Sequence, residues 1–193
     1  MTTATTRTSD GTALPAAGTW TLDATHSTVG FSVRHLGISK VRGVFGTFSG
    51  EVVIAEVPTE SSVQVSIDVT SVDTKDENRD QHLRTNDFFD APSFPTMTFR
   101  STSVTGAGSR WLVTGDLTIR GVTREVTLDT AFEGTASDPW GGARAAFSAS
   151  TEVDREDFGM TFNTALETGG VLVGKRAKIE IEAQLVLATP TGV

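Results

Sequence analysis

The sequence predicts an all-β fold: an eight-stranded antiparallel barrel with short helical insertions at its ends. Three observations predict it. Apolar residues recur at every second position in about eight segments, the period of a strand with one dry and one wet face. The 193 residues include 19 glycines and only 6 prolines, a balance suited to strands joined by tight turns and interrupted by bulges. Eight is also the number at which an antiparallel sheet closes on itself, around packed side chains or one small ligand.

Residues 1–17 are mostly Thr, Ala and Ser with little to bury, and are expected to form a disordered tail. Alternation begins at Gly18, which gives one barrel domain over residues 18–188 and a short tail at 189–193. Its apolar phase first takes Val29, Phe31, Val33 and His35, and then Val44, Gly46, Phe48, Gly50, Val52 and Ile54. It continues through Val63, Val65, Ile67 and Val69, through Met97 and Phe99, and through Val113, Leu117 and Ile119. The last three segments are Val126, Leu128 and Phe132; Ala145, Phe147, Ala149 and Thr151; and Ile179, Ile181, Ala183 and Leu185. Two stretches break the pattern. Asp73 to Asp90 is charged, and Leu83, Phe88 and Phe89 could dock a short helix from it onto the barrel. Asp154 to Lys175 is irregular and holds Phe158, Met160 and Phe162. Both insertions are expected at barrel ends, where loops control access.

Composition excludes several function classes. The formal net charge of −8 disfavours nucleic acid and, weakly, anionic membranes. The absence of cysteine removes disulfides, thiolate nucleophiles and thiolate zinc sites. No segment reaches transmembrane length, and the N-terminal residues lack the apolar run of a signal peptide. A cytoplasmic location is therefore expected.

Motif searches yield no catalytic constellation. Gly169 to Arg176, GGVLVGKR, resembles a phosphate-binding loop, but Arg176 replaces the hydroxyl and a strand pattern follows instead of a helix. Asp76, Asn78 and Asp80 occupy calcium-loop positions, but Gln81 stands where glycine is required. His26, His35 and His82 lack the spacing of a zinc motif. His35 shares the inward phase with Phe31 and Val33. Such a lone histidine is more often a hydrogen-bonded core residue; alternatively, it gives an apolar lumen one polar contact. Eleven phenylalanines accompany no tyrosine. They suit an ordinary core or a lumen lined by rings without hydroxyls, and composition alone leaves both open.

Four ordered segments carry a family resemblance: Trp20 to Val52, Val72 to Ser101 with its RDQHL and FFDAPSFP pieces, Gly115 to Leu128 with LTIRGVT, and DREDFG at Asp154 to Gly159. Together they resemble the YceI-like family, nearly throughout Gly18 to Leu187. The resemblance implies a lipocalin-like barrel that binds polyisoprenoids, isoprenoid quinones or fatty amphiphiles, without a further cofactor or metal. It carries over Phe31, Val33, His35, Arg79, Asp80, His82, Leu83, Phe88 and Phe89 as ligand contacts. The inward strand positions Phe48, Val65, Ile67, Met97, Phe99, Leu117, Phe132, Phe147, Ile179 and Ile181 join them, with Phe158 and Phe162 from the second insertion. The function expected is storage or transport of a long-chain lipid, not catalysis, with a homodimer admissible. The competing readings are a solid-core module that binds a protein, and a histidine- or metal-dependent enzyme acting on lipids or quinones.

Overall fold

Hydrogen bonding closes the sheet on itself. The structure is a computed structural model that describes residues 6–9, 11–167 and 169–188. In chain order its strands are β1 (Thr6–Ser9), β2 (Thr12–Pro15), β3 (Gly18–Leu22), β4 (Thr28–His35), β5 (Ser39–Phe45), β6 (Phe48–Ile54), β7 (Ser62–Asp68), β8 (Val72–Asp73), β9 (Thr96–Ala107), β10 (Arg110–Ile119), β11 (Val122–Ser137), β12 (Ala143–Asp154) and β13 (Val173–Leu187). Helix α1 spans Glu77–Arg84. The ring runs β12-β11-β10-β9-β7-β6-β3-β13, and pairing of β12 with β13 closes it as an eight-stranded antiparallel barrel. Closure leaves no free edge in the ring.

The first two strands of the ring in chain order are longer than the alternation suggests. β3 and β4 both pair with β13, at Leu185–Leu187 and at Val173–Glu182, so they are two halves of one bent strand. β6 and β5 follow the same bend as their partners. The interruption at Gly46–Thr47 resets the parity: Gly43 and Phe45 are buried before it, Phe48 and Ile54 after it. Val44, assigned inward by simple alternation, is consequently exposed.

At this bend Asp23 caps the turn Ala24–His26. Its carboxylate accepts from Thr25 N at 3.0 Å, Thr25 Oγ1 at 2.6 Å and Arg144 Nη1 at 2.7 Å. These bonds to Thr25, then Arg144, then His26, hold the Asp23 carboxyl well below the usual carboxylate range. A depressed folded-state pKa stabilises the fold above the unfolded value of about 4, and the contribution disappears as the pH falls through the folded value. The urea midpoint is therefore expected to drop on acidification below about pH 4, and to drop less steeply in Asp23→Asn. Parallel profiles for the two proteins would contradict this.

Residues 6–15 correct the expected disordered tail. β1 and β2 form a hairpin, with Thr6 opposite Pro15 and Ser9 opposite Thr12. It lies across the barrel end formed by the β6–β7, β9–β10 and β11–β12 connections. Thr6 Oγ1 meets Thr135 Oγ1 at 2.6 Å, and Arg7 bonds the Ala55 and Glu56 carbonyls and the Glu56 carboxylate. Leu14 is buried there at 5% exposure. One leucine and one arginine suffice to dock this segment, too weak a pattern to register among threonines. Residues 1–5 and 189–193, also expected as tails, lie outside the described residues.

The opposite end carries both insertions. Asp76 caps α1 by accepting from Arg79 N at 3.1 Å. The second insertion begins as a short 3-10 helix, Arg155–Phe158. Arg120, in the β10–β11 turn, donates to the Phe88 and Gly159 carbonyls at 3.0 Å each and so ties the insertions together. Among the described residues, no helix is long and apolar enough to cross a membrane.

Candidate ligand-binding cavity

Two clusters of apolar side chains fill the barrel unequally. The smaller surrounds Trp20, which is fully buried among Ile54, Ala143, Ala145 and Leu185 beside the N-terminal hairpin, and its Ile54, Phe147 and Leu185 also face the lumen. The larger surrounds a cavity of about 480 Å³, within the usual range of about 300–1,000 Å³ for ligand pockets. Along β9 the cavity wall extends from Met97 to Val104, about 23 Å at 3.3 Å per residue. It runs from the insertions at one end to Leu14 and Pro15 of the hairpin at the other.

The inward phase of each strand supplies this wall. Phe31 and Val33 of β4, Val65 and Ile67 of β7, Met97 and Phe99 of β9, Leu117 of β10, Phe147 of β12, and Ile179 and Ile181 of β13 all line it. Cross-strand pairing explains their grouping, because directly opposed residues share a face: Val65 faces Phe99, Ile67 faces Met97 and Phe31 faces Ile179. Phe31 also requires Gly43 opposite it, since a Cβ there would lie 2.5 Å from its ring. Its ring centroid is 5.6 Å from that of Phe45, which is in turn 5.7 Å from Phe89.

The insertions cap the cavity. Arg79, His82, Leu83, Phe88, Phe89 and Phe162 all line it, with His35 at the end of β4. The His82 ring stands edge-on to Phe162 at 4.8 Å and to Phe88 at 5.1 Å, while its Nε2 bonds Asp87 at 2.8 Å. Aromatic edges thus hold the two insertions against each other.

Four expected contacts lie elsewhere. Asp80 is buried under α1, where its Oδ1 accepts from Thr74 N at 2.9 Å and Thr74 Oγ1 at 2.6 Å. It anchors the helix and does not reach the lumen. Phe48 and Phe158 are buried in the larger cluster without lining the cavity. Phe132 packs against Phe147 with the rings tilted at 5.3 Å and joins the Trp20 cluster.

Sequence reasoning missed several wall residues. Leu22, Phe45, Val104 and Trp111 follow from strand parity once register is known. Arg155 had no such signal. It borders the cavity at 4% exposure, donating to the Gly174 carbonyl at 2.9 Å and to the Met160 carbonyl. Burial pulls its pKa down, against the nearby Glu156 and Asp154 charges. Among the described residues no carboxylate forms an ion pair with it. His35 and His82 border the cavity, whereas His26 bonds Asp23 at the surface. No group of three or more His, Cys, Asp or Glu among the described residues could hold a metal ion.

Known proteins share this architecture. A crystal structure of BcnA from Burkholderia cenocepacia superposes with a TM-score of 0.74 at 25% identity, covering 87% of this chain and 99% of that one. A polyisoprenoid-binding domain from Saccharophagus degradans, implicated in plant cell wall breakdown, superposes with a TM-score of 0.67 at 15% identity, covering 90% and 100%. At that identity the likeness concerns the fold alone. A UPF0312 protein of Staphylococcus aureus is 39% identical over 168 residues, which are 86% of this chain and 95% of its own length. The model of the YceI-like domain matches residues 20–185, nearly all of the closed ring with both of its insertions, and the chain belongs to that family.

Proposed function

We propose that the barrel binds one long-chain isoprenoid, isoprenoid quinone or similar amphiphile in its cavity, for storage or transport and without chemical change. The observation that carries this reading is the continuous apolar lumen, walled by strand side chains along the barrel and capped by aromatic insertions. The polyisoprenoid-binding activity named for the S. degradans domain of the same fold supports it. A solid-core interaction module would have no use for such a lumen.

Each buried CH₂ contributes about 0.8 kcal/mol, so ten give roughly 8 kcal/mol, near micromolar affinity before ordering costs. Methylenes look alike to an apolar wall, so tunnel length and shape select the tail. Arg34, His35, Arg79, His82 and Arg155 are among the polar groups available to a head group at the insertion end.

Mass spectrometry of an organic extract, beside native mass spectrometry of the intact protein, tests the reading. One stoichiometric isoprenoid, quinone or fatty amphiphile supports it. A protein that carries no lipid and takes up neither polyprenols nor fatty acids refutes it. The hairpin closes the far end in this scheme. Deleting residues 1–15 is expected to speed lipid release roughly tenfold, about the loss of one buried leucine contact. Stopped-flow transfer of a fluorescent fatty acid to vesicles would measure it, and an unchanged rate would rule out hairpin gating.

A further inference from the structure

The charge of this acidic chain is unevenly placed. Strand register sets Arg34 opposite Lys40, and Ser32 opposite both Arg42 and Lys178, so these cations share the outer face of β4, β5 and β13. Lys175, Arg176 and Lys178 are paired with Glu156, Glu152 and Glu180. Among the described residues, Arg34, Lys40 and Arg42 form no ion pair; Glu180, on which Lys40 and Arg42 act at longer range, is bonded to Lys178.

These free cations flank an apolar tip. The β4–β5 turn carries Leu36 and Ile38, and Ile38 is 82% exposed. Leu36 adopts φ 55°, a conformation that ordinarily calls for glycine or asparagine, and yet leaves its side chain in solvent. Its N–H donates to the Leu172 carbonyl at 3.0 Å, which brings exposed Val171 to the same tip. The adjoining residues Arg34, His35, Leu172 and Val173 border the cavity, and Arg34 is also exposed, so the tip stands at a rim of the lumen.

We infer that the β4–β5 turn docks on an anionic lipid bilayer, with Leu36, Ile38 and Val171 entering the interface and Arg34, Lys40 and Arg42 facing the head groups. An apolar tip ringed by unpaired cations has the two components that interfacial binding needs: buried apolar area and attraction to anionic lipid. The inference stands whatever the barrel carries.

Co-sedimentation of the full chain with vesicles tests it, comparing phosphatidylcholine alone with phosphatidylcholine plus phosphatidylglycerol. Binding is expected only to the mixed vesicles and to fall with added salt. Lys40→Gln and Arg42→Gln are each expected to weaken it about fivefold, and Ile38→Asp at least as much. These residues are exposed and lie off the cavity wall, so the melting temperature and uptake of a dispersed fluorescent fatty acid should stay unchanged. Failure of wild type to sediment at low salt, or equal binding by Ile38→Asp, overturns the inference. So does a wild-type dimer that Ile38→Asp dissociates in the absence of vesicle binding. A lipid recovered by organic extraction would in those cases leave the cavity reading standing.

Discussion

Phe31→Glu is expected to abolish loading of the barrel while leaving it folded. Phe31 lines the lumen on one side and lies over Gly43 on the other. Glutamate is shorter, so it removes the ring that shapes the wall and sets a carboxylate among Phe45, Phe89 and Ile179. Water can solvate that carboxylate when no lipid is present, which is why the fold survives. A bound tail would strip that water away. The group must then lie unpaired in apolar surroundings or take up a proton, at a cost of several kcal/mol. A cost of about 3 kcal/mol weakens binding roughly a hundredfold, enough to erase micromolar affinity. Val33→Glu, two residues along the same face, should behave alike. Circular dichroism checks the fold and displacement of a fluorescent fatty acid checks the site. A folded variant that still binds the probe as wild type does would mean that β4 does not line the binding site.

Trp20→Ala is expected to cost about 3–5 kcal/mol of stability, as for other fully buried aromatics. Trp20 is completely buried in the smaller cluster, and its Nε1 donates to the Ala16 carbonyl at 3.0 Å. Truncation leaves a void among Ile54, Ala143, Ala145 and Leu185 that the closed ring cannot collapse to fill. For a chain of this size, each kcal/mol moves the melting temperature by about 2–4 °C, so a fall of roughly 6–20 °C is expected. Trp140 supplies the control. It is 87% exposed in the β11–β12 turn, so Trp140→Ala should stay within about 0.5 kcal/mol. Similar costs at both positions would show that Trp20 is not tightly packed.

The sequence by itself determined the fold class, because a period of two is a local property: each strand needs one apolar face whatever its partners are. The same phase identified wall residues such as Phe31, Val65, Phe99 and Ile179, and the lone inward histidine at position 35. Local pattern also marked where the strands stop and the insertions begin. Tertiary structure alone decided the rest. A two-residue interruption reset the parity of the long strand over residues 39–54, exposing Val44 and burying Phe45, since only pairing with β4 and β3 fixes which side faces inward. Asp80 became a helix anchor because Thr74 folds back beneath α1, a contact that no spacing announces. Phe48, Phe132 and Phe158 are as apolar as the wall residues, and only their depth in the packing separates filler from lining. Arg155 meets carbonyls brought from two other segments, and residues 6–15 become a hairpin only because a barrel end exists to receive Leu14. Whether the core is hollow is likewise a matter of how eight strands close, since the same alternating phenylalanines satisfy the hydrophobic effect around a solid core or around a lumen.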